Sequence, residues 1–128
     1  MMHAMQVSPE QRASVTAALR RAGASFAFVH GSRASGSARA DSDLDVAAWW
    51  AGAAPAAWDV DVPAGVDLLV LNSAPLELAG RVALHGVLLF EDDPTARVRW
   101  QADTRRIYLD EEERQRRLDA LYLRQRHG

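Results

Sequence analysis

The sequence predicts a small mixed β-sheet flanked by helices, an α/β fold of the α+β kind. Three observations predict it. Four short apolar runs of strand length lie between residues 25 and 92, helical periodicity fills the segments around them, and the resulting order is α-β-α-β-β-α-β-α-α. A chain of 128 residues that is 48% hydrophobic and 25% charged suits one globular domain spanning 1–128.

Each element has its own signal. Ser8-Pro9-Glu10-Gln11 opens the first helix, with Ser8 as N-cap, Pro9 at the first helical position and Gln11 closing a capping box. Val15, Ala18, Leu19 and Ala22 fall on one face, and Gly23 ends the helix. "SFAFVH" (25–30) reads as a short buried strand, "SRASG" (32–36) as one or two helical turns, and "DLDVAAWW" (43–50) as a second strand. "AGAAPAAW" (51–58) is a turn region of small residues. "VDLLVLN" (66–72) is so continuously apolar that a central strand is expected. Residues 73–85 read as a helix and "VLLFED" (87–92) as the fourth strand. Asp93 and Pro94 then start a helix over 93–109, and Asp110 caps a last one. Pairs Glu112/Arg116 and Glu113/Arg117 support that last helix, whose apolar stripe is Leu118, Leu121 and Tyr122. A helical C-terminal part of about 93–126 is thus expected.

Composition removes many chemistries. Cysteine is absent, so disulfides, thiol catalysis and cysteine-zinc sites are excluded. Lysine is absent too, which excludes a Walker A loop, the protein-kinase lysine and Schiff-base catalysis. His3, His85 and His127 lack ligand spacing, and His30 reads as the last residue of a strand. Trp49, Trp50, Trp58 and Trp100 read as core or interface residues rather than base-stacking ones. No apolar run approaches a membrane span, and the first residues lack a signal-peptide pattern, so a cytoplasmic location is expected. The net charge of −2 is uneven: residues 31–96 carry three Arg and ten acids, whereas residues 97–128 carry nine Arg and six acids. An acidic middle argues against a nucleic-acid surface and suits cations. The Arg-rich end is read as a solvated face, with a partner surface as the alternative.

Residues 30–45, "HGSRASGSARADSDLD", carry the chemistry. In a strand, Asp43 and Asp45 point to the same side, so their carboxylates converge while Leu44 and Val46 face the core. Two such carboxylates repel unless a cation lies between them, and oxygen ligands favour Mg²⁺ or Mn²⁺. A polar strand start with Ser42 capping a turn would give the same letters. Gly31-Ser32 follows a strand and precedes a helical turn; glycine lets backbone N–H groups approach a phosphate, and the Ser32 hydroxyl adds a donor. Arg33 or Arg39 can reach a phosphate oxygen, and Ser42 stands at the far end of the same loop as a further nucleotide contact.

Gly31-Ser32, ten residues, then Asp43-x-Asp45 resembles the motif of the DNA polymerase beta-like nucleotidyltransferase superfamily. Within it the chain is most similar to the minimal nucleotidyltransferase (MNT) antitoxins of HEPN/MNT toxin–antitoxin modules, specifically over 25–50 and more loosely elsewhere. The resemblance implies the polymerase beta-like nucleotidyltransferase fold and a third carboxylate on a later strand. Asp67 matches that position, with Asp59 and Asp61 as rivals of the same spacing in the preceding loop. It implies two Mg²⁺ ions held by Asp43, Asp45 and Asp67, ATP as substrate, and AMP transfer to a tyrosine of a cognate HEPN ribonuclease toxin in a hetero-oligomer, without direct contact to nucleic acid or membrane. A small-molecule (aminoglycoside-type) nucleotidyltransferase and a non-catalytic toxin-binding antitoxin are the other readings.

Overall fold

The computed structural model describes residues 7–36 and 43–127. Ser8 caps the first helix, α1 (Pro9–Arg21), by accepting a hydrogen bond from the Gln11 N–H at 3.1 Å. Gly23 follows its C-cap with φ +92°, where a side chain would be strained. Strand β1 (Phe26–His30) leads into a single helical turn, α2 (Ser32–Ser35). Strands β2 (Leu44–Trp49) and β3 (Val66–Val70) come next, then helix α3 (Leu76–His85), strand β4 (Val87–Glu91) and helix α4 (Pro94–His127). Short 3₁₀ turns lie at Ala57–Asp59 and Leu71–Ser73.

The four strands form one mixed sheet in the order β3-β2-β1-β4. β1 is antiparallel to both β2 and β4, whereas β2 and β3 run parallel. Alternation along β1 sends Ala27 and Val29 to one face, where they meet Val15 and Leu19 of α1 together with Leu44, Val46 and Ala48. Phe26 and Phe28 point to the other face, toward Ala47, Leu71, Val82 of α3 and Trp100 of α4. Both faces are therefore covered, which is why β1 reads as an unbroken apolar run. Burying Phe26 and Phe28 contributes roughly 1.5–3 kcal/mol each, and both are fully enclosed. Trp49 stacks on Phe26 at 5.2 Å, and Trp100 tilts against both phenylalanines at 5.8 Å. Trp50 is buried and donates its Nε1–H to the Ala22 carbonyl at 3.0 Å, whereas Trp58 is exposed.

Two expectations are corrected. β3 is an edge strand rather than a central one. Its apolar run serves two covered faces without two strand neighbours: Val66 and Leu68 pack on the α1 side beside buried Val60, and Leu69 packs on the other. The C-terminal part is one continuous helix of 34 residues, and Asp110 does not cap a new one. No Gly or Pro lies between residues 95 and 127, so the α4 backbone has no reason to break. The first part of α4 docks on α3: Gln101 and Arg105 donate to the Ala83 carbonyl at 2.9 and 2.7 Å, and Tyr108 presses on Gly80 where any Cβ would collide with its ring. Beyond Tyr108 every side chain described is exposed, Leu118, Leu121 and Tyr122 included. Ion pairs along the helix, Glu111–Arg114, Glu113–Arg116 and Glu113–Arg117, hold this stretch; the Glu113/Arg117 pair is the one expected from spacing, and Arg116 takes Glu113. No helix among the described residues is long and apolar enough to cross a membrane.

Candidate active site

The strand register assembles a polar row at one end of the sheet. His30 of β1 stands opposite Asp45 of β2, and Asp45 stands beside Asp67 of β3. All three share the face of Phe26 and Phe28, because each lies an even number of positions from a residue of that face. Asp67 and Asp45 hold equivalent places in a parallel pair. Asp59 and Asp61 lie before β3, and no strand register joins them to Asp45. Asp43, two residues upstream of Asp45, is exposed at the entrance to β2; Asp45 is half-buried and Asp67 exposed.

Gly31 sits directly after β1 and has φ +71° and ψ −152°, a region open essentially to glycine alone. A Cβ here would also collide with the Asp45 carboxylate. The glycine thus serves two ends: it turns the chain from β1 into α2, and it leaves the space that the Asp45 oxygens occupy. Ser32 and Arg33, both half-buried, form the first half of α2. That helix is one turn, so its dipole is small, and a phosphate would be held by individual backbone N–H groups and the Ser32 hydroxyl. Ser35 donates its hydroxyl to the Ser32 carbonyl at 3.0 Å, which ties the turn together. Ser42 lies outside the described residues, as does Arg39.

His30 ends β1, as the sequence reading has it, on the face of Asp45 and Asp67. Its Nε2 is buried with no hydrogen-bond partner among the described residues, leaving a polar position for an incoming group. Burial holds its pKa below the ordinary imidazole value of 6.5, and the charges of Asp45 and Asp67 oppose that depression. The sequence signal was its parity with Phe26 and Phe28, which puts it on the face of the carboxylates.

Among the described residues no three His, Asp or Glu side chains converge as a closed metal cluster. Asp45 and Asp67 are register partners, Asp43 lies two residues upstream of Asp45, and all three offer oxygen donors. Mg²⁺ fits such a set, since it keeps several waters and takes one or two carboxylates together with substrate phosphate oxygens.

The family model for polymerase beta nucleotidyltransferases matches residues 15–95, the stretch that holds the whole polar row. The chain belongs to this family. No curated protein matches it by sequence. Three solved structures share the nucleotidyltransferase fold seen here. A chain of a toxin–antitoxin crystallised with AMP-PNP is 24% identical with a TM-score of 0.68, over 86% of this chain and 97% of that one. A chain of the toxin–antitoxin MntA-HepT is 22% identical with a TM-score of 0.65, over 89% and 98%. A chain of the Shewanella oneidensis complex of tri-AMPylated HEPN toxin with MNT antitoxin is 21% identical with a TM-score of 0.62, over 88% and 96%.

Proposed function

We propose that the whole chain, residues 1–128, is a minimal nucleotidyltransferase antitoxin that transfers AMP from ATP to a tyrosine of a HEPN ribonuclease toxin and so silences it. One observation carries the reading: Asp45 and Asp67 are register partners beside a glycine that only an absent side chain lets approach the Asp45 carboxylate. A structural loop needs no such clearance, whereas a site that must bring a phosphate to carboxylates does. Solved structures of the same fold support the choice of acceptor, since one was crystallised with AMP-PNP and another contains a HEPN toxin bearing AMP groups.

ATP brings roughly four negative charges toward three carboxylates. Asp43, Asp45 and Asp67 would hold two Mg²⁺ ions, which when bound would supply positive charge against the triphosphate and lower the pKa of an acceptor hydroxyl. The chain's own groups do the rest. Backbone N–H groups at Gly31 and Ser32, with the Ser32 hydroxyl, orient the phosphates; Arg33 and Ser42 are further contacts. Asp67, the more exposed register partner, accepts the proton of the tyrosine hydroxyl. The tyrosine oxygen then bonds to the α-phosphorus, the bond from that phosphorus to the β-bridging oxygen breaks, and pyrophosphate leaves with the electron pair.

A dose titration tests the reading. Mixed with a cognate HEPN toxin and Mg·ATP, the chain should silence the nuclease at substoichiometric amounts, and intact-mass spectrometry should find adenylyl groups on the toxin. Silencing only at one-to-one ratios with no added mass would replace the enzyme by a sequestering antitoxin.

A further inference from the structure

The exposed half of α4 carries its charge in two blocks. Residues 110–113 are four consecutive acids, and residues 114–126 hold five Arg against one Asp. Ion pairs within the helix take up Glu111, Glu113, Arg114, Arg116 and Arg117, all of them exposed. Exposed pairs of this kind hold weakly. Asp110 and Arg124 make no ion pair among the described residues, so support within the helix does not account for them. Spacing does. Asp103, Asp110, Arg117 and Arg124 recur every seven residues, and all four are exposed. Beside that row runs a seam in alternating steps of three and four: Thr104, Ile107, Glu111, Arg114, Leu118 and Leu121. Ile107, Leu118 and Leu121 are 48%, 45% and 51% exposed along it.

We propose that this half of α4 pairs antiparallel with the same helix of a second copy of the chain. Let Leu118 of each copy lie level with Ile107 of the other. Glu111 then meets Arg114 of the second copy, and Leu121 meets Thr104. In the flanking row Asp110 meets Arg117, and Asp103 meets Arg124. Each contact occurs twice, because the pairing is two-fold. A parallel arrangement would set Glu111 on Glu111 and Arg114 on Arg114, so charge selects the direction. The seam is roughly 25 Å long, with one globular body at each end. Where it meets the body, a cavity of about 340 Å³ beside Trp49, Trp100 and Thr104 leaves room for the last turn of the second copy. Few apolar layers line the seam, so the dimer is weak and comes apart in dilute solution.

Sedimentation equilibrium on the full chain, without toxin, tests this through a charge swap. Wild type should show a monomer–dimer equilibrium that weakens as salt is raised. Asp103→Arg/Asp110→Arg makes the flanking row all cationic, and Arg117→Asp/Arg124→Asp makes it all anionic. Each double variant alone should dimerise ~10-fold or more weakly than wild type, and an equimolar mixture of the two should regain wild-type affinity as a heterodimer. The four side chains are exposed, so circular dichroism of both variants should match wild type. The chain has no cysteine, which allows a second readout by thiol cross-linking. Ile107→Cys and Leu118→Cys chains, mixed and oxidised, should join to each other. A disulfide between two Leu118→Cys chains in their place would mean parallel packing and overturn the proposal. So would dimerisation of both charge variants at wild-type strength, or a mixture that regains nothing. A wild-type chain that stays monomeric up to roughly 1 mM would also overturn it. If deletion of residues 111–128 from such a monomer abolished toxin binding, the toxin would take the place of the second copy.

Discussion

Gly31 concentrates two constraints in one residue, a backbone conformation that other residues avoid and a clearance filled by the Asp45 carboxylate. Gly31→Ala should cost about 1–3 kcal/mol from backbone strain alone. It should also displace Asp45, so transfer should fall much further than the melting temperature accounts for. A chemical-denaturation curve alongside a single-turnover assay separates the two, and a variant with full activity would remove Gly31 from the site. Asp45→Asn and Asp43→Asn keep shape and lose charge; each should abolish transfer while the metal-free melting temperature stays level or rises slightly, as like charges are relieved. Asp67→Asn should keep part of the Mg·ATP affinity and still lose transfer, because its proposed role lies at the acceptor. Asp45→Asn has a second readout. Asp45 is one of the two charges that oppose the depression of the His30 pKa, so its removal should send the His30 titration lower still, as followed by NMR of the imidazole. The sign for stability follows from linkage: the unfolded chain binds this proton more readily, so stability tied to neutral His30 is complete above the ordinary value of 6.5 and is lost as pH falls from there toward the depressed value.

At the level of elements, α4 divides at Tyr108 into a packed half and an exposed half. Deleting residues 111–128 should leave the melting temperature nearly unchanged, within about 0.5 kcal/mol, because no buried side chain is lost. Far-ultraviolet dichroism should fall by the missing turns. A large drop in stability would mean that the exposed half packs on the body after all. Legibility in the sequence followed how local each signal was. Ser8, Gly23, Asp93 and Pro94 act on their own turns, and the structure keeps all four where the sequence puts them. Asp110 failed because a capping residue is also tolerated inside a helix that nothing else interrupts. The apolar letters of β3 report covered faces and say nothing of how many strands lie alongside. Gly31, Asp43, Asp45 and Asp67 could be put forward from the sequence because the proposed chemistry is tied to spacing and to a strand start, and the register sets Asp45 beside Asp67. The pocket that Arg81 and His85 line with Gly31 was not legible: a helix some fifty residues on carries them there, and only the folded sheet brings them together.

For the molecule as a whole, charge is partitioned along the chain, with ten acids and three Arg in residues 31–96 and an Arg-rich remainder. An acidic middle repels a bare triphosphate. ATP should therefore bind weakly in EDTA and clearly with Mg²⁺, and calorimetry in the two buffers reads the difference. Equal affinity in both would count against a metal-bridged site. A distant contact ties the first helix to the end of the last strand: Arg20 grips Asp92, the residue after β4, through both carboxylate oxygens, at 2.7 and 2.9 Å, and lies over the Phe90 ring at 5.0 Å. The Arg20 hydrogen bonds hold the Asp92 carboxyl below its ordinary range. What this pair contributes is present at neutral pH and is lost as acid protonates Asp92 through that lowered pKa.

The order β3-β2-β1-β4 has a consequence during synthesis. β1 is made first and lies inside the sheet, yet its outer neighbour β4 follows roughly sixty residues later. A ribosome adding about 5–20 residues per second leaves β1 for several seconds with one edge unpaired and Phe26 and Phe28 uncovered by the later helices. Every carboxylate of the row has by then been translated, but the strand that leads into Gly31 still lacks its second neighbour. A nascent chain stalled before Val87 should be captured by holdase chaperones and cut readily by protease, and release of the next dozen residues should end both.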